Sequence, residues 1–361
     1  MTTVRVQLGD RSYDIVVTSA DSAGIGTFAR GCSRGELAFV ISDENVRSLA
    51  EAVSVSIRSQ SFRTELVVLP SGERQKCLAT ASQLYDRLAE IGADRRTLVV
   101  AVGGGVIGDL GGFVAATFAR GLPLLMVPTT LLAMVDSSVG GKVAVNHPKA
   151  KNLIGAFHQP AGVWIDTDTL STLPDREYRS GLAEVVKYGV IFDPELFSYL
   201  EANAESILQR NPEAIRHLVA ASCRHKAAVV AKDEREETGL RALLNYGHTF
   251  AHAFETVGGY GAWLHGEAVA AGMICASRLA ERRGLIDRSV TERQRQLLTN
   301  FGLPTVPGPW PTDALLATMR SDKKAVSRKL RFVLPTALGA AALYADVAEA
   351  DVRHVLNHRA P

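Results

Sequence analysis

A chain of 361 residues exceeds a typical single domain, so two domains are expected. Apolar residues at 47% and charged residues at 22% are ordinary globular values and exclude extended disorder. A formal net charge of +2 is too close to neutral to point to nucleic acid or a membrane surface as partner.

The first half alternates strand-like and helix-like segments. Val4–Leu8 and Tyr13–Val17, separated by Gly-Asp-Arg-Ser, read as an opening hairpin. Leu37–Ile41, Glu65–Leu69, Leu98–Val102 and Leu124–Val127 read as short, β-branched strands, with helices over Lys76–Ile91 and Gly108–Arg120 among the segments between them. Past Pro174 the texture changes. Segments 177–191, 194–209, 212–232, 241–257, 265–284 and 288–301 carry apolar residues at helical spacing, with caps such as Asp193-Pro194 and Asn211-Pro212. Little else there reads as strand until Leu330–Leu334. The pattern predicts an α/β N-terminal Rossmann-like domain over 1–176 plus a mostly α-helical C-terminal domain over 177–361.

The cysteines Cys32, Cys77, Cys223 and Cys275 are far apart and form no CxxC pair, which fits reduced thiols in a cytoplasmic protein. The N-terminus has no basic stretch followed by an apolar core, so no signal peptide is expected. The run Leu122–Val135 is too short and too interrupted to span a bilayer, so no membrane partner is expected either.

Leu98–Val102 runs straight into Gly103-Gly104-Gly105-Val106-Ile107-Gly108-Asp109, and then a helical pattern begins. Gly103, Gly105 and Gly108 satisfy G-x-G-x-x-G in a strand–turn–helix setting, where the backbone can approach a pyrophosphate at a helix N-terminus. The same glycines also suit a tight turn that needs positive φ. The acidic ribose-binding residue expected about twenty positions on is replaced by Pro128-Thr129-Thr130, so other loops must hold an adenosine. Asp43 and Ser71-Gly72-Glu73, each after a strand end, are the candidates.

Glu184, His248, His252 and His265 lie in small-residue, glycine-flanked segments of the helical half. Two histidines and a carboxylate with an open fourth position form a common catalytic zinc arrangement. Spacing favours His248 and His252, one helical turn apart, and cannot decide between that pair and His248 with His265. Lys142, Lys151, Lys187, Lys226, Arg241, Lys323 and Lys324 recur in apolar or glycine-rich stretches. Exposed helix faces explain many such residues; as a group beside a metal they suit a substrate bearing phosphate and carboxylate, with Asp136 and Asn152 placed to orient hydroxyls.

Long motifs then carry a resemblance: PSGERQK at 70–76, AVGGGVIGDLGGFVAATFARG from 101, VPTTLLAMVDSSVGGKVAVNHPKAKNLIGAFHQP from 127, SGLAEVVKYGVI from 180, KDEREETGLRALLNYGHTFAHAFE at 232–255, LHGEAVAAGM at 264–273 and SDKK at 321–324. In this order, and over nearly the whole chain, they resemble the 3-dehydroquinate synthases of the sugar phosphate cyclase superfamily. One departure is Glu236-Glu237-Thr238-Gly239, a residue longer than the family pattern.

The resemblance implies Glu184, His248 and His265 as ligands of zinc or cobalt, with His252 in the proton relay. It implies NAD against Ser71, Gly72, Glu73, Arg74, Gln75 and Lys76; against Gly104, Gly105, Val106, Ile107, Gly108 and Asp109; and against Thr129, Thr130, Lys142, Lys151, Thr169, Leu170, Ser171 and Thr172. It implies Asp136, Lys142, Lys187 and Asn245 beside His252 in catalysis, and Asn152, Lys226 and Arg241 on the substrate; from the SDKK segment either Lys324 or Lys323 is expected to face the phosphate. Arg120 matches a position that reaches a neighbouring subunit, which implies a homodimer. The implied reaction converts 3-deoxy-D-arabino-heptulosonate 7-phosphate to 3-dehydroquinate and phosphate, by transient oxidation with NAD, phosphate elimination, re-reduction and intramolecular aldol closure. The alternatives are a sedoheptulose 7-phosphate cyclase and a metal-dependent polyol dehydrogenase.

Overall fold

A computed structural model describes residues 1–21, 23–259, 261–321 and 330–358. Two compact units emerge, and neither is continuous in sequence. One comprises Met1–Leu173 with Ile215–Arg235, the other Pro174–Ala214 with Glu236–Pro361. The expected division into 1–176 and 177–361 is therefore corrected at 215–235, a stretch tied to the first unit by its side chains. Lys226 Nζ reaches Asp136, Cys223 Sγ reaches the Met134 carbonyl, and Glu234 binds Arg11 and Gln159.

Among the described residues, the first unit is built on nine strands: β1 (Thr2–Val6), β2 (Tyr13–Thr18), β3 (Leu37–Asp43), β4 (Arg63–Leu69), β5 (Leu98–Gly103), β6 (Leu124–Pro128), β7 (Lys142–His147), β8 (Ala150–Phe157) and β9 (Gly162–Asp166). Seven of them form one sheet in the order β1-β2-β9-β6-β5-β3-β4. Only the β1–β2 pair is antiparallel, the predicted hairpin shifted slightly toward the N-terminus. Strands β3 and β5 are buried at nearly every position, because helices cover both faces. The helices α1 (Gly24–Cys32) and α2 (Arg47–Arg58) close one face around Ile25, Val53, Ile57, Phe62 and Trp164. The helices α3 (Leu78–Glu90) and α4 (Gly105–Thr117) belong to the same unit, with α4 packed on β5 and on the separate β7–β8 hairpin.

The second unit holds α5 (Asp175–Ile191), α6 (Pro194–Ala202), α7 (Ala204–Leu208), α9 (His248–Gly258), α10 (His265–Arg282), α11 (Arg288–Asn300), α12 (Thr312–Ser321) and α13 (Glu349–Asn357); α8 (Pro212–Lys232) begins there and is completed in the first unit. A hairpin of β10 (Phe332–Ala337) and β11 (Ala340–Tyr344) completes it. The predicted strand near 330–334 is thus the start of a pair, and 194–209 is two short helices instead of one. Three helices, α5, α9 and α10, approach closely where glycines remove a side chain. A Cβ on Gly266 would stand 1.8 Å from the Ser180 carbonyl oxygen, and one on Gly272 2.2 Å from that of Gly247. Among the described residues, no helix is long and apolar enough to cross a membrane.

Candidate active site

In the first unit the predicted cofactor residues follow the carboxyl ends of parallel strands, the edge at which such sheets bind ligands. Asp43 ends β3, residues 71–76 follow β4, the glycine turn follows β5, Thr129 and Thr130 follow β6, and the 3-10 turn Thr167–Thr172 follows β9. The glycine turn does not use left-handed backbone: Gly103, Gly104, Gly105 and Gly108 are all outside positive φ. Their role is space. A Cβ on Gly103 would meet Ile107 at 2.7 Å, and one on Gly104 would meet Thr130 at 3.1 Å. Helix α4 starts at Gly105, three residues earlier than the sequence suggests, and its N-cap Gly104 makes no side-chain capping hydrogen bond. Beneath it a small hollow of about 180 Å³, counting space open to solvent, is lined by Gly103, Gly104, Gly108, Pro128 and Ser138 among others.

Lys76 and Asp109 meet in an ion pair of 2.9 Å, with the lysine side chain only 6% exposed. Burial pushes the Asp109 carboxyl up and the Lys76 ammonium pulls it back down, leaving it raised. Asn146, which sequence reasoning missed, fastens this loop to the β7–β8 hairpin. Its Nδ2 donates to Glu73 Oε1 at 2.7 Å, its N–H to the Lys76 carbonyl at 2.8 Å, and its Oδ1 accepts from Asn152 N at 2.9 Å. Lys142 and Lys151 occupy opposite ends of that hairpin, Lys142 exposed opposite Phe157 and Lys151 beside the turn. Asp136 lies in a single π-helical turn, Ala133–Ser137, and Lys226 Nζ donates to both its carbonyl (2.5 Å) and its Oδ1 (2.6 Å).

In the second unit, Glu184, His248 and His265 converge, with one ligand atom from each within 4.8 Å of the others. Glu184 Oε1 is 3.5 Å from His248 Nε2 and 3.6 Å from His265 Nε2. Donors around a tetrahedral ion with bonds near 2.1 Å stand about 3.4 Å apart, so the three fit a divalent cation and leave one position open. Glu184 is fully buried on α5, and Lys187, a turn later, compensates its charge. Gly247, at φ 81°, sets His248 at the first position of α9, and the Leu264 N–H donates to the Glu267 carboxylate as a cap just before His265. Burial holds His248 neutral, its pKa lowered to about 3. His252 is exposed, its ring 5.7 Å from that of His248 at 89°, and is not one of the converging donors. The spacing-based pairing of His248 with His252 therefore gives way to His248 with His265, because α10 brings the latter in from a distant part of the chain.

Of the other predicted residues in this unit, Arg241 is buried, Asn245 is exposed, and both lie in the 3-10 turn Arg241–Asn245 that leads to Gly247. Arg120 is exposed in the first unit, and with Ala119 adopts left-handed backbone (φ 67° and 47°). Lys324, with Lys323, lies outside the described residues. Sequence reasoning also missed Glu255 and Tyr246, which contact the two histidine ligand candidates from behind.

A glycine turn at a parallel-sheet edge and a two-histidine, one-carboxylate cluster on helices define the α/β-plus-helical class that pairs a nucleotide site with a metal site. Residues 66–180 match the 3-dehydroquinate synthase N-terminal family and residues 181–325 its C-terminal family. The chain belongs to the 3-dehydroquinate synthase family. It is 49% identical over 360 residues to a protein named 3-dehydroquinate synthase from Desulforamulus reducens, spanning 99% of this chain and 100% of the other. Its fold is similar to 2-epi-5-epi-valiolone synthase from Streptomyces hygroscopicus, solved with NAD+ and Zn2+ bound (29% identity, TM-score 0.88, 97% of each chain). It is also similar to a 2-deoxy-scyllo-inosose synthase solved with carbaglucose-6-phosphate, NAD+ and Co2+ (29% identity, TM-score 0.85, 99% of this chain and 100% of that one).

Proposed function

We propose that the chain converts 3-deoxy-D-arabino-heptulosonate 7-phosphate to 3-dehydroquinate and phosphate, as a cyclase that eliminates phosphate. The observation that carries the reading is the convergence of Glu184, His248 and His265 in a chain of this family. When bound, NAD+ supplies a reversible hydride acceptor and a divalent zinc or cobalt ion supplies a Lewis acid. Glu184 Oε1, His248 Nε2 and His265 Nε2 hold the ion. The loops at the sheet edge, from Asp43 through 71–76, 104–109, Thr129, Thr130 and 169–172, hold the dinucleotide with Lys142 and Lys151.

His252, exposed beside His248, moves protons at its imidazole. Lys142, Asn152, Lys226 and Arg241 bind the phosphate and carboxylate as cations and donors, and Asp136, held by Lys226, orients hydroxyls. Holding a small, multiply charged substrate through several bond changes is chiefly a positioning role. The chain works in the cytoplasm as a homodimer. Exposed Arg120, and Leu153 and Phe157 at 64% and 46% exposed on β8, support a partner surface.

The test supplies the heptulosonate phosphate with trace NAD+ and Zn2+ and follows inorganic phosphate and absorbance of NADH. Phosphate release far beyond the NAD+ added, with no NADH accumulating, is expected. Stoichiometric NADH would instead identify a polyol dehydrogenase, and turnover of sedoheptulose 7-phosphate alone would identify the other cyclase.

A further inference from the structure

Each ring nitrogen of His265 has a carboxylate beside it. Nε2 lies 3.6 Å from Glu184 Oε1, and Nδ1 lies 3.5 Å from Glu255 Oε2. Glu255 follows His248 by two helical turns on α9, so both project from one face of that helix. Its side chain is 14% exposed. His248 is braced differently: its Nδ1 lies 3.1 Å from the carbonyl oxygen of Tyr246, a neutral acceptor. That carbonyl is fixed in turn, because the buried Tyr246 hydroxyl bonds Met273 O and Gln294 Oε1.

An imidazole that binds a metal through one nitrogen carries its proton on the other, and the acceptor there sets the tautomer, the ring orientation and the donor strength. A carboxylate acceptor strengthens donation more than a carbonyl does. Glu255 also sits in the last turn of α9, where an acidic side chain opposes the helix dipole. Its position is thus unfavourable for the helix and favourable for His265.

We propose that Glu255 is a positioning residue of the metal centre: it accepts the Nδ1–H hydrogen bond of His265, turns Nε2 toward Glu184 and His248, and makes His265 the stronger of the two imidazole donors. The proposal rests on the metal reading given above. It leaves the two histidines unequal, one braced by backbone and one by charge.

The test uses the full-length protein stripped of metal, with Zn2+ alone as probe in competition with a chromophoric chelator. Melting of the metal-free protein is followed in parallel. Glu255→Gln, which keeps the shape and removes the charge, and Glu255→Ala are expected to bind Zn2+ about 10- to 100-fold more weakly. Their metal-free melting temperatures are expected to equal or exceed the native value. Zn2+ affinities within about twofold of native in both variants would overturn the proposal. A fall in metal-free melting temperature that accounts for the lost affinity would overturn it too, by making Glu255 structural. Should Glu255→Ala not fold, Glu255→Gln decides alone. If the native chain itself takes up no Zn2+, the metal reading fails first, an outcome distinct from a change confined to the variants.

Discussion

Lys226 Nζ donates to both the backbone carbonyl and the carboxylate of Asp136, joining residues 90 positions apart in sequence. The lysine side chain is 7% exposed and that of Asp136 27%. Lys226→Met keeps the apolar stem and removes the ammonium. It should cost about 2 kcal/mol, the usual scale for a hydrogen bond to a charged group. Denaturant midpoints with an unchanged slope would measure it, and an unaltered midpoint would show that the bond contributes nothing to the folded state.

His265→Ala should lose stoichiometric Zn2+ and turnover while retaining the native circular dichroism spectrum, since the site adds little to so large a core. His252→Ala should keep its metal, because that ring is not among the converging donors, and lose turnover by about 10²- to 10⁴-fold. Metal content by elemental analysis separates the two. Metal loss in His252→Ala with retention in His265→Ala would reverse their roles.

Two glycines should respond oppositely to alanine. A Cβ on Gly266 would press on the backbone of Ser180 (1.8 Å from O, 2.5 Å from C), so α5 and α10 must separate. The expected cost is about 3 kcal/mol, with weakened Zn2+ binding because His265 is its neighbour. Gly31, inside α1, has nothing within 4 Å of its Cβ position and no positive φ. Gly31→Ala should stabilise by about 0.5–1 kcal/mol. Thermal melting of both variants checks the pair, and a neutral Gly266→Ala would mean that the two helices do not touch there.

The four thiols should differ sharply in reactivity. The Thr80 hydroxyl, 3.4 Å from Cys77 Sγ, lowers the Cys77 pKa below 9.0; burial opposes it and the backbone N–H groups of Thr80 and Ala79 add to the lowering. Burial raises Cys32, Cys223 and Cys275 to about 12. A lowered pKa means more thiolate at a given pH, so Cys77 alkylation should rise at lower pH than that of a free cysteine. One fast equivalent is expected near pH 8 in the native protein and four on unfolding, with the fast one absent in Cys77→Ser. A fast phase surviving that substitution would refute the assignment.

Strand–helix alternation and the 3.6-residue period made the central sheet and the long helices legible, because each of those signals is local. The β7–β8 hairpin was not. Its sequence is broken by Asn146, His147, Pro148 and Lys149, and it belongs to no large sheet that would demand a plain alternation of apolar residues. Strand β9 lies within the large sheet but is only five residues long, beginning at Gly162 and ending at Asp166, so just Val163–Ile165 carry a strand signal. At the metal cluster, residue types were visible but the partner of His248 was not: i, i+4 spacing is local, whereas His265 arrives through glycine-mediated packing of α10. Helix α8 carries an amphipathic pattern that says it is buried, not against what, so its membership of the first unit could not be read from the chain.

That membership has a consequence for how the protein is made. The sheet half is not complete when its last strand leaves the ribosome; it must wait until residues 174–214 have been synthesised and α8 follows. A fragment ending near residue 173 would expose the surface that α8 covers and invite association with other chains. Cutting between the halves therefore yields one incomplete piece and one interrupted piece, and the two units depend on being translated as one.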